Sequence, residues 1–175
     1  EYAKLGSALN TLVKQEKLDP EAGDLFRFLA FSGCRLGEAQ RLGFSDVDLE
    51  RGTMTFIDHK TSKTAGPKVL PLNTHLRAII QRRAGQMLGP RVFPGRGTEK
   101  SGLDGCIVGL TKMWSRLLGK SGIRDATPHD LRRTFMSTLC ELGHPKFVGD
   151  VLLGHSLGTI GDTYTVLGTD GILAT

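Results

Sequence analysis

The 175-residue sequence has few of the residues that metal centres and disulfide frameworks need. Its three cysteines, Cys34, Cys106 and Cys140, are widely spaced and form neither a CxxC pair nor a Cys/His cluster. An odd, scattered set of this kind predicts no structural zinc site and no disulfide framework, which favours a reducing compartment. The sequence also lacks an acidic metal-binding cluster, so we expect neither a metal nor another cofactor.

Long hydrophobic runs are also missing. No apolar segment is long enough to cross a bilayer, and the N-terminus shows no signal-peptide pattern. Internal repeats and low-complexity tracts are absent as well. We therefore expect a cytoplasmic protein with no membrane partner.

What is present is the composition of an ordinary globular domain with a basic bias. Apolar residues make up 39% of the chain and charged residues 23%, and the net charge is +5. The length suits one domain, and the positive charge favours a polyanionic partner without identifying it. Because the sequence begins at Glu1 rather than Met and ends soon after Tyr164, we expect residues 1–175 to be a single domain from a longer protein.

Apolar periodicity and turn residues predict a mostly helical α+β fold. Between the helices, the segments VDLE, TMTFI and KVLPL in residues 47–72 predict a small three-stranded antiparallel sheet, with the loop KTSKTAGP before the last strand. The segment 89–105 is rich in Gly and Pro and predicts an exposed connection. The predicted helices are 1–18, 20–30, a short one from 36, 74–88, 106–119, 127–142, 145–153 and one around residue 164.

An ordered set of polar residues lies along these elements. Arginine binds phosphate in bidentate fashion, and a tyrosine hydroxyl can act as a covalent nucleophile. Each motif alone has a more ordinary interpretation, such as a solvated helix face or a surface ion pair. The set comprises Arg35 in SGCRLGEA, Lys63 in KTSKTAGPKVLPL, His129 and Arg132 in TPHDLRRTF, His155 in LGHS, and Tyr164 nine residues later.

In this order, over about residues 30–167, the motifs resemble the catalytic domain of the tyrosine recombinases, the phage-integrase family. SGCRLGEA resembles the first family motif, TPHDLRRTF the second, and LGHS with its following tyrosine the third. Two departures lie in the third motif. Leu157 stands where the family usually has a serine, and Ile160-Gly161 stand where it usually has small hydroxyl residues.

The resemblance implies a site-specific recombinase, most commonly an integrase, that cuts and rejoins double-stranded DNA through a 3′-phosphotyrosine without metal or ATP. It implies that Tyr164 is the nucleophile and that Glu38 supports the active-site arginines. Lys63, or alternatively Lys60, would protonate the leaving 5′ oxygen. The remaining implied roles are phosphate binding by Arg35, Arg132 and His155, proton transfer by His129, and DNA contacts by Lys60, Lys68 and Arg133.

The resemblance also implies partners. Family members usually carry a separate N-terminal core-binding domain, which we expect to be absent from this chain. A homotetramer is expected on DNA and a monomer without it, with the protein associated with the nucleoid when bound. Two alternatives stay open: a type IB topoisomerase-like enzyme, and a DNA-binding module that has lost catalysis. A third alternative, a helical protein-interaction domain, is set aside because all six motif matches would have to be coincidences.

Overall fold

The computed structural model describes residues 1–57, 67–86, 89–95, 97 and 105–154. In these ranges the chain is mostly helical and carries a three-stranded antiparallel sheet, which confirms the predicted fold class. A short 3-10 helix (Phe44–Asp46) precedes the sheet. The helices are α1 (Tyr2–Lys14), α2 (Pro20–Ser32), α3 (Leu36–Arg41), α4 (Thr74–Ala84), α5 (Leu110–Ser121), α6 (Pro128–Glu141) and α7 (Lys146–Leu153), and the strands are β1 (Val47–Asp48), β2 (Thr53–Phe56) and β3 (Lys68–Pro71).

Helix α2 is the centre of the core. Leu25, Phe26 and Phe28 have no exposed surface, and α2 packs against α1, α3, α4 and α6. Its ends follow the sequence prediction, because Pro20 occupies the first turn and Gly33 ends the helix in the left-handed conformation. The chain therefore leaves the buried α2 at a fixed point, two residues before Arg35.

The sheet has the order β1-β2-β3, and β2 pairs with β3 so that Phe56 lies opposite Lys68. Side chains alternate between the two faces of a strand. In β3 the alternation places Lys68 and Leu70 in the interior, whereas Val69 is 46% exposed. The three predicted strands are confirmed. Lys68, however, lies on the buried face of the sheet, although a charged side chain would be expected on the exposed face.

The segment predicted as an exposed connection contributes to the core. Val92 and Phe93 are completely buried, and the ring of Phe93 packs edge-on against Phe28 with centroids 5.2 Å apart. Pro94 pairs with Cys106 in an isolated bridge. The prediction of an exposed connection was wrong for these residues. Two adjacent apolar residues are enough to anchor this glycine- and proline-rich segment in the core.

Several helix boundaries also differ from the prediction: α1 ends at Lys14 rather than at 18, α2 at Ser32 rather than at 30, and α4 at Ala84 rather than at 88. The helix expected from residue 106 begins at Leu110, because Cys106 is held in the bridge and Gly109 adopts a left-handed conformation. Helix α6 begins as predicted with a capping box between Thr127 and Asp130. It ends at Glu141, and Leu142 is 70% exposed and does not face the core.

The helix expected around residue 164 lies outside the described residues. None of the helices within the described ranges is long and apolar enough to span a membrane.

Candidate active site

Arg35 and Glu38 form the first part of the site at the start of α3. The Glu38 carboxylate accepts hydrogen bonds from the Arg35 backbone N–H at 2.9 Å and from the Arg35 guanidinium at 2.8 Å. The Glu38 side chain is only 4% exposed, whereas Arg35 keeps 27% of its side chain accessible. The buried carboxylate thus orients a partly exposed arginine, and the role of Glu38 in supporting catalysis stays a prediction.

Lys68 reaches the same carboxylate from the sheet. Its Nζ donates to Glu38 Oε2 at 2.5 Å, and its side chain is 4% exposed. The Nζ also lies 4.6 Å from the centroid of the Phe56 ring. A DNA contact is predicted for Lys68 from the sequence. The prediction was wrong, because the ammonium group is enclosed and hydrogen-bonded to Glu38.

Arg132 enters from α6 and is fixed by backbone oxygens. Its guanidinium donates to the carbonyl oxygens of Gly33 and Leu153, each at 2.8 Å. These carbonyls belong to the ends of α2 and α7. Carbonyl oxygens at a helix C-terminus carry partial negative charge and suit a cation. Arg132 is therefore buried, at 5% exposure, and is held by these two carbonyls.

The charged groups of the site influence one another. Burial and the neighbouring Arg35 guanidinium lower the pKa of Arg132 below its ordinary value. Burial alone would raise the pKa of Glu38, but hydrogen bonds from Lys68 and Arg35 outweigh it and hold that pKa below its usual range. Among the described residues, Arg35 and Lys68 bind the Glu38 carboxylate and Arg132 lies near enough to be influenced by it, so cations are in excess around this carboxylate. Such an excess suits an anionic ligand.

The other residues of the second motif lie on the surface of α6. His129 is exposed, one helical turn before Arg132, and has no hydrogen-bond or ion-pair partner within the described part of the chain. Arg133 keeps 73% of its side chain exposed and pairs with Asp130 at 2.8 Å. Both side chains are therefore open to a ligand from solvent.

Four of the predicted site residues, Lys60, Lys63, His155 and Tyr164, lie outside the described residues. Arg132 is nevertheless bonded to Leu153, which stands two positions before His155 in the sequence. In the ranges that the structure covers, no three His, Cys, Asp or Glu side chains are grouped to hold a metal ion.

Cys34 lies inside the cluster, although the sequence gave no reason to include it. Burial raises the pKa of its thiol to about 11, so the thiol stays protonated and inert near neutral pH. The arginines of α4 make internal contacts. They are bound as follows: Arg77 to the carbonyl oxygen of Leu49, Arg82 to Asp24, and Arg83 to Glu21.

Comparison with protein families and with curated sequences gives a consistent result. The sequence model described as "Phage integrase family" matches residues 2–168. A protein named tyrosine recombinase XerC from Mesorhizobium japonicum is 29% identical over 143 residues, covering 81% of this chain and 45% of that protein. A protein named tyrosine recombinase XerA from Pyrococcus furiosus is 30% identical over 137 residues, covering 77% and 46%. The chain thus spans less than half the length of these relatives.

Solved structures share the fold at low sequence identity. An integrase of the transposon Tn1549, in complex with transposon right end DNA, superposes with a TM-score of 0.70 at 19% identity, covering 99% of this chain and 63% of that one. A lambda integrase tetramer bound to a Holliday junction gives a TM-score of 0.66 at 18% identity, covering 93% and 47%. These structures support the description of the fold as a helical domain with a small antiparallel sheet.

Proposed function

The chain belongs to the phage integrase family, and on that premise we propose that it is the catalytic domain of a site-specific recombinase that cleaves and rejoins DNA. The observation that carries the proposal is the preorganised pair of arginines: Arg35 is held by Glu38, and Arg132 by two backbone carbonyls. A phosphodiester gains negative charge as it becomes a pentacoordinate phosphorane. Cationic donors that are fixed in advance stabilise this charge without reorganising during the reaction.

In the proposed reaction, the hydroxyl oxygen of Tyr164 attacks the scissile phosphorus and its proton passes to His129. The bond from phosphorus to the 5′ oxygen breaks, and that oxygen takes a proton from Lys63, with Lys60 as the alternative donor. His155 donates a hydrogen bond to a non-bridging oxygen. The products are a 3′-phosphotyrosine and a free 5′ hydroxyl, and the reverse steps join the strand to a new partner.

No metal or nucleotide is needed in this scheme. One phosphate ester is exchanged for another, so the bond that rejoining requires is kept in the phosphotyrosine. The charge that a metal ion would neutralise is balanced by Arg35, Arg132 and His155. We therefore propose that cleavage proceeds fully in EDTA.

Double-stranded DNA is the proposed partner, in agreement with the DNA-bound structures that share the fold. Phosphate contacts from exposed cations such as Lys60 and Arg133 would make binding steeply salt-dependent. We propose a monomer in the absence of DNA and a homotetramer on two recombining sites. The protein would act in the cytoplasm, on nucleoid DNA.

The experiment that tests the proposal is the capture of a covalent protein–DNA adduct. The protein is incubated in EDTA with nicked suicide substrates made from the ends of its host element, and the reaction is stopped with SDS. Because the linkage is to a 3′ phosphate, a 5′-end label should stay with the protein, whereas a 3′-end label should leave on a strand with a free 5′ hydroxyl. Peptide mapping should place the adduct on Tyr164.

The chain offers a matched control because it contains only two tyrosines. Tyr164→Phe should bind DNA and form no adduct, whereas Tyr2→Phe should form it at the rate of the unmodified protein. An adduct that survives in Tyr164→Phe would contradict the assignment. Stepwise relaxation of supercoiled plasmids that lack the site would favour the topoisomerase alternative. DNA binding without any adduct, in the full-length protein as well, would favour the degenerate binding module.

A further inference from the structure

Lys68 occupies an unusual position for a lysine next to a surface loop. It is the first residue of β3 and lies opposite Phe56, on the inward side of the sheet together with Leu70. Its side chain is 4% exposed. Burial of an ammonium group is strongly unfavourable unless the group is paired and hydrogen-bonded. A lysine in this place therefore needs a partner, and its partner is Glu38.

Lys68 and Arg35 share that one carboxylate. Oε1 of Glu38 accepts from the Arg35 guanidinium, whereas Oε2 accepts from the Arg35 backbone and from Lys68. With both oxygens engaged, the carboxylate cannot rotate without breaking a charged hydrogen bond. Without Lys68, Oε2 would keep a single backbone donor. The orientation of Arg35 thus depends on a side chain that belongs to a different element of the fold.

The stem of Lys68 also contacts the end of α7. A Cβ atom placed on Gly154 would lie 2.7 Å from Lys68 Cδ, and Gly154 has a φ of +67°. The Lys68 side chain therefore crosses the backbone of Gly154, with no space for another atom between them. Gly154 directly precedes His155 in the sequence, and Leu153, one position earlier, accepts a hydrogen bond from Arg132.

We propose that Lys68 is a positioning residue for DNA cleavage, which orients Arg35 through Glu38 and supports the chain that leads to His155 through Gly154. The proposal rests on the proposed function for the identity of the reaction. Lys68 does not touch the phosphate and does not supply the leaving-group proton. It is distinct in this respect from Lys60 and Lys63, although all three lysines belong to one segment of the sequence.

The first test compares Lys68→Met, Lys68→Arg and the control Lys112→Met, which changes an exposed lysine on α5. Single-turnover cleavage is measured at saturating DNA, together with DNA affinity and melting temperature. Lys68→Met should cleave at least about tenfold more slowly while binding DNA within about twofold of the unmodified protein, because misplaced catalytic groups lower the rate without weakening binding. Lys68→Arg should recover much of the rate, and Lys112→Met should change neither quantity.

The pH profile of cleavage separates positioning from a general loss of stability. In Lys68→Met the burial of Glu38 is opposed by fewer hydrogen bonds, so its pKa should rise. Cleavage should then decline as the pH falls and Glu38 becomes protonated, an acidic limb that the unmodified protein should lack near neutral pH. The limb should disappear in Lys68→Met/Glu38→Gln, since glutamine does not titrate. This double variant also leaves no unpaired buried carboxylate and is the form to use if the single variant does not fold.

Two results would overturn the proposal. Cleavage by folded Lys68→Met at the unmodified rate and with an unchanged pH profile would leave Lys68 no positioning role. A parallel loss of affinity, with a salt slope lowered by about one, would show that Lys68 contacts a phosphate. Failure of the proposed function is distinguishable, because the unmodified protein itself would form no adduct. In that case the Arg35 guanidinium proton signals in NMR should still broaden in Lys68→Met, and unchanged signals would contradict the positioning role independently of any reaction.

Discussion

The backbone of Gly33 lies directly against the ring of Phe135. A Cβ atom on Gly33 would stand 2.5 Å from Cδ1 of that ring, and Gly33 has a φ of +61°. The contact brings the end of α2 and the middle of α6 together at the point where Arg132 binds the Gly33 carbonyl. The close approach that the glycine permits therefore sets the distance between the two arginine motifs.

Gly33→Ala should destabilise the fold by about 2–4 kcal/mol, because it adds left-handed backbone strain to overpacking against an aromatic ring. Urea denaturation would measure the change in the free energy of unfolding. Gly119→Ala is the matched control: Gly119 lies within α5, and a Cβ atom there meets nothing within 4 Å. The control should be neutral or stabilising by up to about 1 kcal/mol. Equal effects of the two substitutions would contradict the packing argument.

Arg132→Lys should lower the cleavage rate by at least about 100-fold, since a single ammonium cannot replace a guanidinium that binds two carbonyls and, in the proposed reaction, a phosphate oxygen. It should also destabilise the fold by about 1–3 kcal/mol through the lost charged hydrogen bonds. Adduct formation and urea denaturation would measure the two effects. Arg124→Lys, at an exposed arginine, should change neither. Rapid adduct formation by Arg132→Lys would remove Arg132 from the mechanism.

Arg133→Ala should weaken DNA binding without slowing cleavage at saturating DNA. The side chain is 73% exposed, so its loss should lower the slope of log affinity against log salt by about 1. Fluorescence anisotropy over a range of salt concentrations would measure this slope. Arg82→Ala serves for comparison, because the Arg82 guanidinium is bound to Asp24. A slope unchanged in Arg133→Ala would exclude a phosphate contact at this position.

Asp130 should make the stability of α6 pH-dependent in acid. Hydrogen bonds from the hydroxyl and backbone N–H of Thr127, aided by Arg133, lower the pKa of Asp130 to about 2. Because the folded-state pKa is below the ordinary value near 3.8, the stabilisation is complete above that value and is lost as the pH falls towards 2. Asp130→Asn should therefore cost about 1 kcal/mol near neutral pH and progressively less below pH 4. Urea titrations of both proteins at several pH values would measure this difference in the free energy of unfolding. A difference that persists in acid would contradict the stabilising role of the ionised Asp130 carboxylate.

The helical part of the fold was largely predictable because its signals are local. Pro20 and Gly33 mark the two ends of α2, and Thr127 with Asp130 caps α6, so short-range geometry determines these boundaries. The segment containing Val92 and Phe93 could not be placed in the same way, since its burial depends on Phe28, a residue that is distant in the sequence.

The contacts of the described candidate residues were predictable only in part. The arginines, Glu38 and the second motif follow from the order of the motifs. The resemblance implies a DNA contact for Lys68, and lysines next to turns are usually exposed. Its true position follows from the pairing of β3 with β2, which turns Lys68 inward and Val69 outward, and from a carboxylate thirty residues away. Only the alternation of Lys68 with Leu70 signalled this arrangement.

The hydrogen bonds of Arg132 also have a consequence for partial unfolding. Its guanidinium joins the last residue of α7 to the end of α2, so a local opening that detaches α7 also removes one anchor of the arginine. The position of the Arg132 guanidinium and the docking of α7 thereby belong to one cooperative unit. A chain from which α7 has detached would lose one of the two carbonyl anchors of Arg132 at the same moment.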